Sequence, residues 1–335
     1  MSFASSYAAL PLLRSGLLAW RPELQPAGRE LERSLAAAGL DALASAVDAE
    51  LRSRAGSFLQ GIERYRHHPY RRDLADPAAI WREGTTRLLD YGEGGEGAPV
   101  LVVPSLINRA YVLDLMAEKS LLRWLAGNGL RPLLVDWDQP GAVERRFGLT
   151  DYIAGRLEAA LDAAVGLAGR PVAVMGYCMG GLLALTLAAR RPRQVSALAL
   201  LATPWDFHAE RPEQGHLLGA LMPSLGALFQ PWGELPVEVL QTLFASLDPL
   251  LALRKFTRFA ALAERDPRAR EFVALEDWLN DGVPLALPVA EDCLAGWYGA
   301  NTTMRGAWRL GGRAGDPPPR PKPARVILRS EEHTS

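Results

Sequence analysis

The feature that most constrains this chain is a short turn, GYCMGG (176–181), which lies between an apolar strand pattern and an apolar helix pattern. It fits the spacing Gly-x-nucleophile-x-Gly, with a cysteine at the nucleophile position. Gly176, Gly180 and Gly181 are the residues expected where strand and helix approach too closely for side chains. The turn predicts that Cys178 is a nucleophile at the carboxyl edge of a sheet, where the dipole of the following helix favours its thiolate.

The same turn predicts which backbone groups would stabilise an oxyanion. The N–H of Met179, directly after the cysteine, is expected to point at it. A second N–H should come from the loop PSLINR (104–109), and we predict that of Ile107. The competing interpretation is a structural cysteine in an ordinary strand-to-helix turn. Cys293 has no comparable surroundings, and we expect it to serve packing.

The segments around the turn predict an α/β fold. Continuous apolar runs, typical of strands buried on both faces, occur at 98–106, 131–137, 171–177 and 195–205, with helical patterns between them. This alternation predicts a mostly parallel sheet with helices on both faces. The glycine-rich stretch GEGGEG (92–97) lacks a following Lys-Ser/Thr, so we expect a hairpin loop there rather than a phosphate-binding loop.

The remaining patterns divide the chain. Residues 1–60 read as a helical appendage, and the α/β domain is predicted over 61–328. Within it, 206–303 is rich in apolar helices broken by prolines and is expected to form a helical cap inserted between two strands. Its aromatic and leucine side chains would be core residues, or alternatively would line a substrate tunnel. The sheet pattern resumes at 323–328.

Charge and cysteine content narrow the class of protein. Lys and Arg number 37 and Asp and Glu 38, a formal net charge of −1, so no basic field attracts nucleic acid. Two cysteines make no disulfide framework and fit a reducing compartment. We predict no signal peptide and no membrane-spanning helix, hence a cytoplasmic protein. His67 and His68 lack further ligands nearby; we predict solvated loop histidines and no metal site.

Several motifs together resemble the polyhydroxyalkanoate (PHA) synthases, enzymes of the α/β-hydrolase fold with a cysteine in the lipase-box position. The segments PSLINR, YVLDL, LLVDW, DYI, GYCMGG and TPWDF occur in the expected order, and LEDWLNDG and WYGANT look similar to synthase-related sequences. The resemblance covers roughly 60–328. It implies that a hydroxyacyl-coenzyme A acylates Cys178, and that the acyl group then joins the hydroxyl end of a growing polyester.

The resemblance also implies a setting for the reaction. No cofactor is expected beyond the coenzyme A thioester substrate. The protein would be cytoplasmic, associated with polyester granules, and either a homodimer or paired with a second synthase subunit. A thiol suits this chemistry because transfer from one thioester to another keeps the acyl group at nearly the same energy. Two alternatives stay open: a thioesterase or esterase that uses water, and a catalytically silent granule-associated protein.

The family's Cys-Asp-His triad carries over only at its cysteine. The aspartate should follow the strand at 323–328 and the histidine one further strand. We assign no triad role to the other candidates, which are Asp136, Asp138, His208, His216 and His333. The ending RSEEHTS (329–335) resembles a translated sequencing-library adapter, so we expect a non-native tail and a truncated last strand and helix. We therefore expect little or no turnover from the chain as written.

Overall fold

The computed structural model describes residues 11–13, 15–38, 40–310 and 327–328. The predicted non-native tail 329–335, with His333, and the start of the predicted appendage lie outside these residues. The described residues form two compact units. One contains the chain up to Tyr70 together with Asp248–Val273, and the other contains Arg71–Leu247 and the chain from Ala274 onward. The domain boundaries predicted from the sequence stay predictions.

The smaller unit is helical. Its helices are Gln25–Ala38, Leu40–His67 and Leu251–Ala260, together with the first part of Pro267–Asn280. A Cβ at Gly61 would lie 2.1 Å from the backbone carbonyl oxygen of Phe256, so the backbones of two of these helices approach each other closely at this glycine. The expectation of solvated loop histidines is wrong for His68, which is buried and accepts a hydrogen bond from the Tyr70 N–H at 3.2 Å.

The larger unit is built on a seven-stranded sheet. In chain order the strands of this unit are β1 (Ala79–Glu83), β2 (Thr86–Asp90), β3 (Ala98–Val103), β4 (Asp114–Met116), β5 (Lys119–Ser120), β6 (Leu130–Asp136), β7 (Val172–Tyr177), β8 (Val195–Leu201), β9 (Glu234–Leu235), β10 (Leu285–Ala286) and β11 (Ile327–Leu328). The sheet order is β1-β2-β6-β3-β7-β8-β11. β1, β2 and β6 pair antiparallel and the other neighbours pair parallel, which confirms the predicted mostly parallel sheet.

Helices cover both faces of this sheet, as predicted. Alternate residues of β3 face opposite sides, so Leu101 and Val102 belong to different hydrophobic clusters. The cluster of Leu101 includes helices Glu158–Ala168 and Met179–Arg190, and the cluster of Val102 includes helix Leu121–Gly127. Because both sides of the central strands are covered, their sequences are continuously apolar rather than alternating.

The glycine-rich stretch at 92–97 is not a hairpin loop, and that prediction was wrong. It links β2 to β3, which are not neighbours, because β6 lies between them. The hairpin is formed instead by β1 and β2. The Asp90 carboxylate organises the glycine-rich turn by accepting hydrogen bonds from the Gly92 N–H at 2.9 Å and the Gly94 N–H at 3.2 Å.

Between β8 and β11 the larger unit is mainly helical. Its elements there are helices Pro212–Phe229, Val237–Leu247 and Leu287–Glu291, the last part of Pro267–Asn280, and a π-helical segment Asp292–Gly299. The sequence gives no strand signal here, yet β9 and β10 pair antiparallel over two residues each. These elements follow β8 in the chain.

Candidate active site

The carboxyl edge of the parallel strands carries a series of strained backbone positions. One non-glycine residue with positive φ follows each of four strands: Asn108 (φ 65°) after β3, Asp138 (φ 55°) after β6, Cys178 (φ 52°) after β7 and Ala202 (φ 50°) after β8. Such conformations cost about 1–3 kcal/mol each and concentrate at functional sites. Ligands of open α/β sheets bind outside this same edge.

Cys178 lies between β7 and helix Met179–Arg190, as the motif predicts. Its φ of 52° and ψ of −129° place it at the sharp turn, directly before the first residue of the helix. The turn is tied to the sheet because the Cys178 N–H donates to the Leu201 carbonyl at 2.9 Å. Cys178 is half-buried and lies directly before the first residue of the helix. The dipole of a helix favours negative charge at this end, and the thiolate form of Cys178 stays a prediction.

The three predicted glycines each face a different neighbour. A Cβ at Gly176 would lie 2.4 Å from the Gly181 Cα, and one at Gly180 would lie 2.2 Å from the Val103 carbonyl oxygen. A Cβ at Gly181 would lie 1.8 Å from Thr203 Oγ1. The glycines thus let the helix start close to three strand ends, which brings Cys178 beside the loops that follow them.

The two predicted oxyanion donors differ in their present hydrogen-bond partners. The Met179 N–H belongs to the first turn of the helix, where amides have no partner within the helix. The Ile107 N–H donates to Ser105 Oγ at 2.9 Å in this structure. To face an oxyanion, that amide must exchange its serine partner for the substrate. The assignment of Met179 and Ile107 as donors stays a prediction.

Asp136 and Asp138 are engaged in shaping the loop after β6. Asp136 pairs with Arg87 and accepts the Asp138 N–H at 3.2 Å. Asp138 lies 3.5 Å from the Arg109 guanidinium. Both aspartates are thus held by arginine and backbone partners, and their exclusion from the triad stays a prediction.

Sequence reasoning missed Tyr298, which forms part of the surroundings of Cys178. Burial raises the pKa of its phenol, and the charges of Cys178 and Cys293 raise it further. The backbone carbonyl of Tyr298 lies 2.7 Å from His208 Nε2, which therefore donates. The ring of His208 contacts that of His216, with centroids 4.6 Å apart. The WYGANT motif, already singled out as synthase-like, was the signal that could have identified Tyr298.

Asn301 and His208 are joined through the side chain of Asp206, which follows β8. Asn301 Nδ2 donates to Asp206 Oδ1 at 2.8 Å, and the same carboxylate accepts the His208 N–H at 2.9 Å. Asn301 also has a positive φ of 48°. Hydrogen bonds from the His208 backbone and the Asn301 amide lower the pKa of Asp206, so it remains ionised. This places a charged, oriented network beside the segment that bears Tyr298.

Cys293 has the environment expected of a packing residue. It is buried in the main hydrophobic cluster of the larger unit. Burial raises the pKa of its thiol well above the usual range, and the charge of Asp292 adds to the rise. The Cys293 thiol therefore stays protonated at neutral pH. Among the described residues there is no group of three potential metal ligands and no helix long and apolar enough to cross a membrane.

Comparison with known proteins gives a family and a set of relatives. The family described as "alpha/beta hydrolase fold" matches residues 98–275. The poly(3-hydroxyalkanoate) polymerase subunit PhaC of Haloferax mediterranei is 28% identical over 242 residues, 71% of this chain and 49% of that protein. The same subunit of Allochromatium vinosum is 29% identical over 248 residues, 71% of this chain and 68% of that protein.

The relatives are longer than this chain. It spans about half the length of the subunits from Haloferax mediterranei and Haloarcula marismortui that it matches. Among solved structures, a thioesterase domain from the curacin biosynthetic pathway is 14% identical with a TM-score of 0.38, over 71% of this chain and 81% of that one. An alpha/beta hydrolase fold protein from Nakamurella multipartita is 21% identical with a TM-score of 0.36, over 68% and 75%.

Proposed function

We propose that this chain, which belongs to the α/β-hydrolase fold family, carries the acyl-accepting nucleophile of a polyhydroxyalkanoate synthase. The observation that carries the proposal is Cys178 at the left-handed turn between β7 and helix Met179–Arg190, in a chain similar to PHA polymerases over about 70% of its length. A structural cysteine has no need of this strained position.

The first step is acylation of Cys178. Its sulfur attacks the thioester carbonyl carbon of a hydroxyacyl-coenzyme A, and the carbonyl oxygen becomes an oxyanion facing the Met179 and Ile107 N–H groups. Collapse breaks the bond to the coenzyme A sulfur, which leaves as a thiolate and takes up a proton. Only the thiolate attacks, and an ordinary thiol is about a few per cent thiolate at neutral pH. The helix N-terminus raises that fraction.

The second step transfers the acyl group to an alcohol. The hydroxyl end of a polyester attacks the Cys178 thioester, the new ester bond forms, and the cysteine leaves as a thiolate. The hydroxyl proton must go to a base. An alcohol needs this base more than a thiol does, because an alcohol is the weaker acid. We assign no described residue to that role. We also propose that the chain works with a partner subunit, since the relatives are named as polymerase subunits. Association with polyester granules is part of the same proposal and rests on the polymer product alone.

The test is capture of the acyl-enzyme. The chain is mixed with 3-hydroxybutyryl-coenzyme A, quenched in acid, and its intact mass and peptides are measured. We expect one hydroxyacyl group, located on Cys178. The Cys178→Ala variant should take up none, and the Cys293→Ala variant, a matched control for the other thiol, should be acylated like the unchanged chain. Acylation elsewhere, or none at all, would contradict the proposal.

A further inference from the structure

One segment of the larger unit contacts the loop that carries the predicted oxyanion donor. This segment is 278–283, which we call the clamp segment; it spans the end of helix Pro267–Asn280 and the residues after it. Trp278 Nε1 donates a hydrogen bond to the backbone carbonyl of Arg109 at 2.7 Å. The Arg109 guanidinium in turn donates to the Asp281 carboxylate at 2.9 Å. Both contacts fall two residues beyond Ile107.

Asp281 has a second partner on the same loop. The phenol of Tyr111 hydrogen-bonds to it, and burial first, then the Asp281 charge, raises the pKa of that phenol. Asp281 therefore joins Arg109 and Tyr111, which lie on either side of Ala110. Beside it, a Cβ at Gly282 would lie 3.7 Å from Asn108 Oδ1, so the backbone of the clamp segment also approaches the loop closely.

The start of the loop has its own anchor. Trp137 Nε1, directly after β6, donates to the Pro104 carbonyl at 3.1 Å. The loop from Pro104 to Arg109 is thus fixed at its two ends by two tryptophan indoles, each bonded to a backbone carbonyl. Between these points lie Ile107 and the left-handed Asn108. The direction of the Ile107 N–H depends on where both ends are held.

We propose that Trp278 and Asp281 are positioning residues that hold the oxyanion loop, so that the Ile107 N–H can face the oxyanion during acylation of Cys178. The inference rests on the proposed function, since it concerns the same reaction. It gives a role to the LEDWLNDG motif, which the nucleophile chemistry leaves unexplained. Donors of this kind act only when held at about 3 Å from the oxyanion, so a small displacement of the loop removes most of their effect.

The test compares two reactions of the same sulfur. Acylation by 3-hydroxybutyryl-coenzyme A passes through an oxyanion, whereas alkylation by iodoacetamide displaces iodide from carbon and forms none. The Trp278→Phe variant keeps an aromatic side chain but loses the indole N–H donor together with part of the ring volume, and Asp281→Asn loses the ion pair with Arg109. The control is Trp232→Phe, because Trp232 is exposed and lies in the same unit.

We expect Trp278→Phe to slow acylation by about 10-fold or more, while alkylation changes by less than about twofold. The expected loss is smaller than the roughly 100- to 1,000-fold caused by outright removal of one oxyanion donor, because the Ile107 N–H is displaced rather than deleted. Asp281→Asn should show a smaller loss of the same kind, and Trp232→Phe should change neither rate. Equal rates of acylation in all four proteins would overturn the inference and leave the proposed function standing. A parallel fall in acylation and alkylation would also overturn it, because the thiol rather than the loop would then be affected.

A chain that is never acylated would refute the proposed function, and the clamp is then judged by hydrogen–deuterium exchange. Trp278→Phe should speed exchange of the amides at 105–110, with exchange in β7 unchanged. Unchanged exchange at 105–110 would overturn the inference on its own.

Discussion

The glycines around Cys178 differ in which neighbouring atoms occupy the space that a Cβ would need. At Gly176 the space is taken by backbone and by the Ala184 Cβ, while at Gly181 it is taken by the side chain of Thr203. A clash with a side chain can be relieved by truncating that side chain, whereas a clash with backbone cannot. Gly176 is therefore required by neighbouring backbone and Gly181 by a neighbouring side chain, although the sequence motif does not distinguish the two positions.

We therefore predict different rescue behaviour for two substitutions. Gly176→Ala and Gly181→Ala should each destabilise the protein by roughly 1–3 kcal/mol through overpacking. Thr203→Ala removes two of the three atoms nearest to a Cβ at Gly181, so it should partly restore Gly181→Ala and leave Gly176→Ala unchanged. Urea denaturation of the single and double variants measures this coupling. Equal rescue of both variants would contradict the assignment of the clash to Thr203.

At the same scale, sequence reasoning located Cys178 but not its surroundings. The spacing of glycines around a nucleophile determines the local backbone, so a short motif suffices to place the thiol. The assignment of the Ile107 amide rests only on its place in a loop, and no sequence pattern indicates that Ser105 accepts its hydrogen bond. Tyr298 lies 120 residues after Cys178 in the chain, and an electrostatic interaction over such a separation is not encoded locally.

Elements show the same division between local and non-local information. Continuous apolar runs identified β3, β6 and β7, because burial on both faces determines composition directly. The partner of β2 was misjudged because β6, some forty residues further on, pairs between β2 and β3. β9 and β10 were missed since two residues give no periodic pattern, and their pairing joins segments on either side of three helices.

The junction of β2 and β6 gives a prediction about acid. Asp90, buried at the end of β2, accepts a hydrogen bond from Arg131 of β6 at 2.5 Å. Burial alone would raise the pKa of Asp90, but hydrogen bonds from Arg131, Gly92 and Gly94 and the Arg131 charge prevail and lower it. A lowered pKa in the folded state contributes stability above the unfolded value of about 3.9. That contribution is lost as the pH falls through the folded pKa.

Replacing this carboxylate should thus matter near neutral pH and not in acid. We expect Asp90→Asn to lower the free energy of unfolding at pH 7 by roughly 2–3 kcal/mol, since a buried charged partner is removed. The difference from the unchanged chain should shrink below about pH 4. The control is Asp162→Asn, which breaks an exposed pair with Arg191 and should cost under about 1 kcal/mol. A pH-independent loss at Asp90 would show that charge is not the cause.

For the whole molecule, the decisive question is which of the two chemical steps the described residues can support. Acylation needs a thiolate and an oxyanion site, and Cys178 with the helix N-terminus and the loop after β3 supplies these in the proposed reaction. Transfer to an alcohol needs a base, because a hydroxyl is far less acidic than a thiol. The network of His208 and Asp206 is committed to the Tyr298 carbonyl and to Asn301.

We predict a burst without turnover from the 335-residue chain. With excess 3-hydroxybutyryl-coenzyme A, release of coenzyme A should approach one equivalent per chain and then stop, because no residue in the described part of the chain is assigned as the base that activates the next acceptor. Release is followed with a thiol reagent, and products are separated into polymer and free acid. The Cys178→Ala variant sets the background.

The product distinguishes the interpretations if release continues past one equivalent. Sustained release with free 3-hydroxybutyrate would mean that water accepts the acyl group, which is the thioesterase chemistry kept as the alternative. Sustained release with polymer would mean that a residue of this chain does serve as base. His208 would be the first to substitute, since its Nε2 lies 2.7 Å from the carbonyl oxygen of Tyr298, whose phenol interacts with the charge of Cys178. A single burst that stops, with the hydroxyacyl group on Cys178, fits only a nucleophile that is in place and an acceptor step that is not.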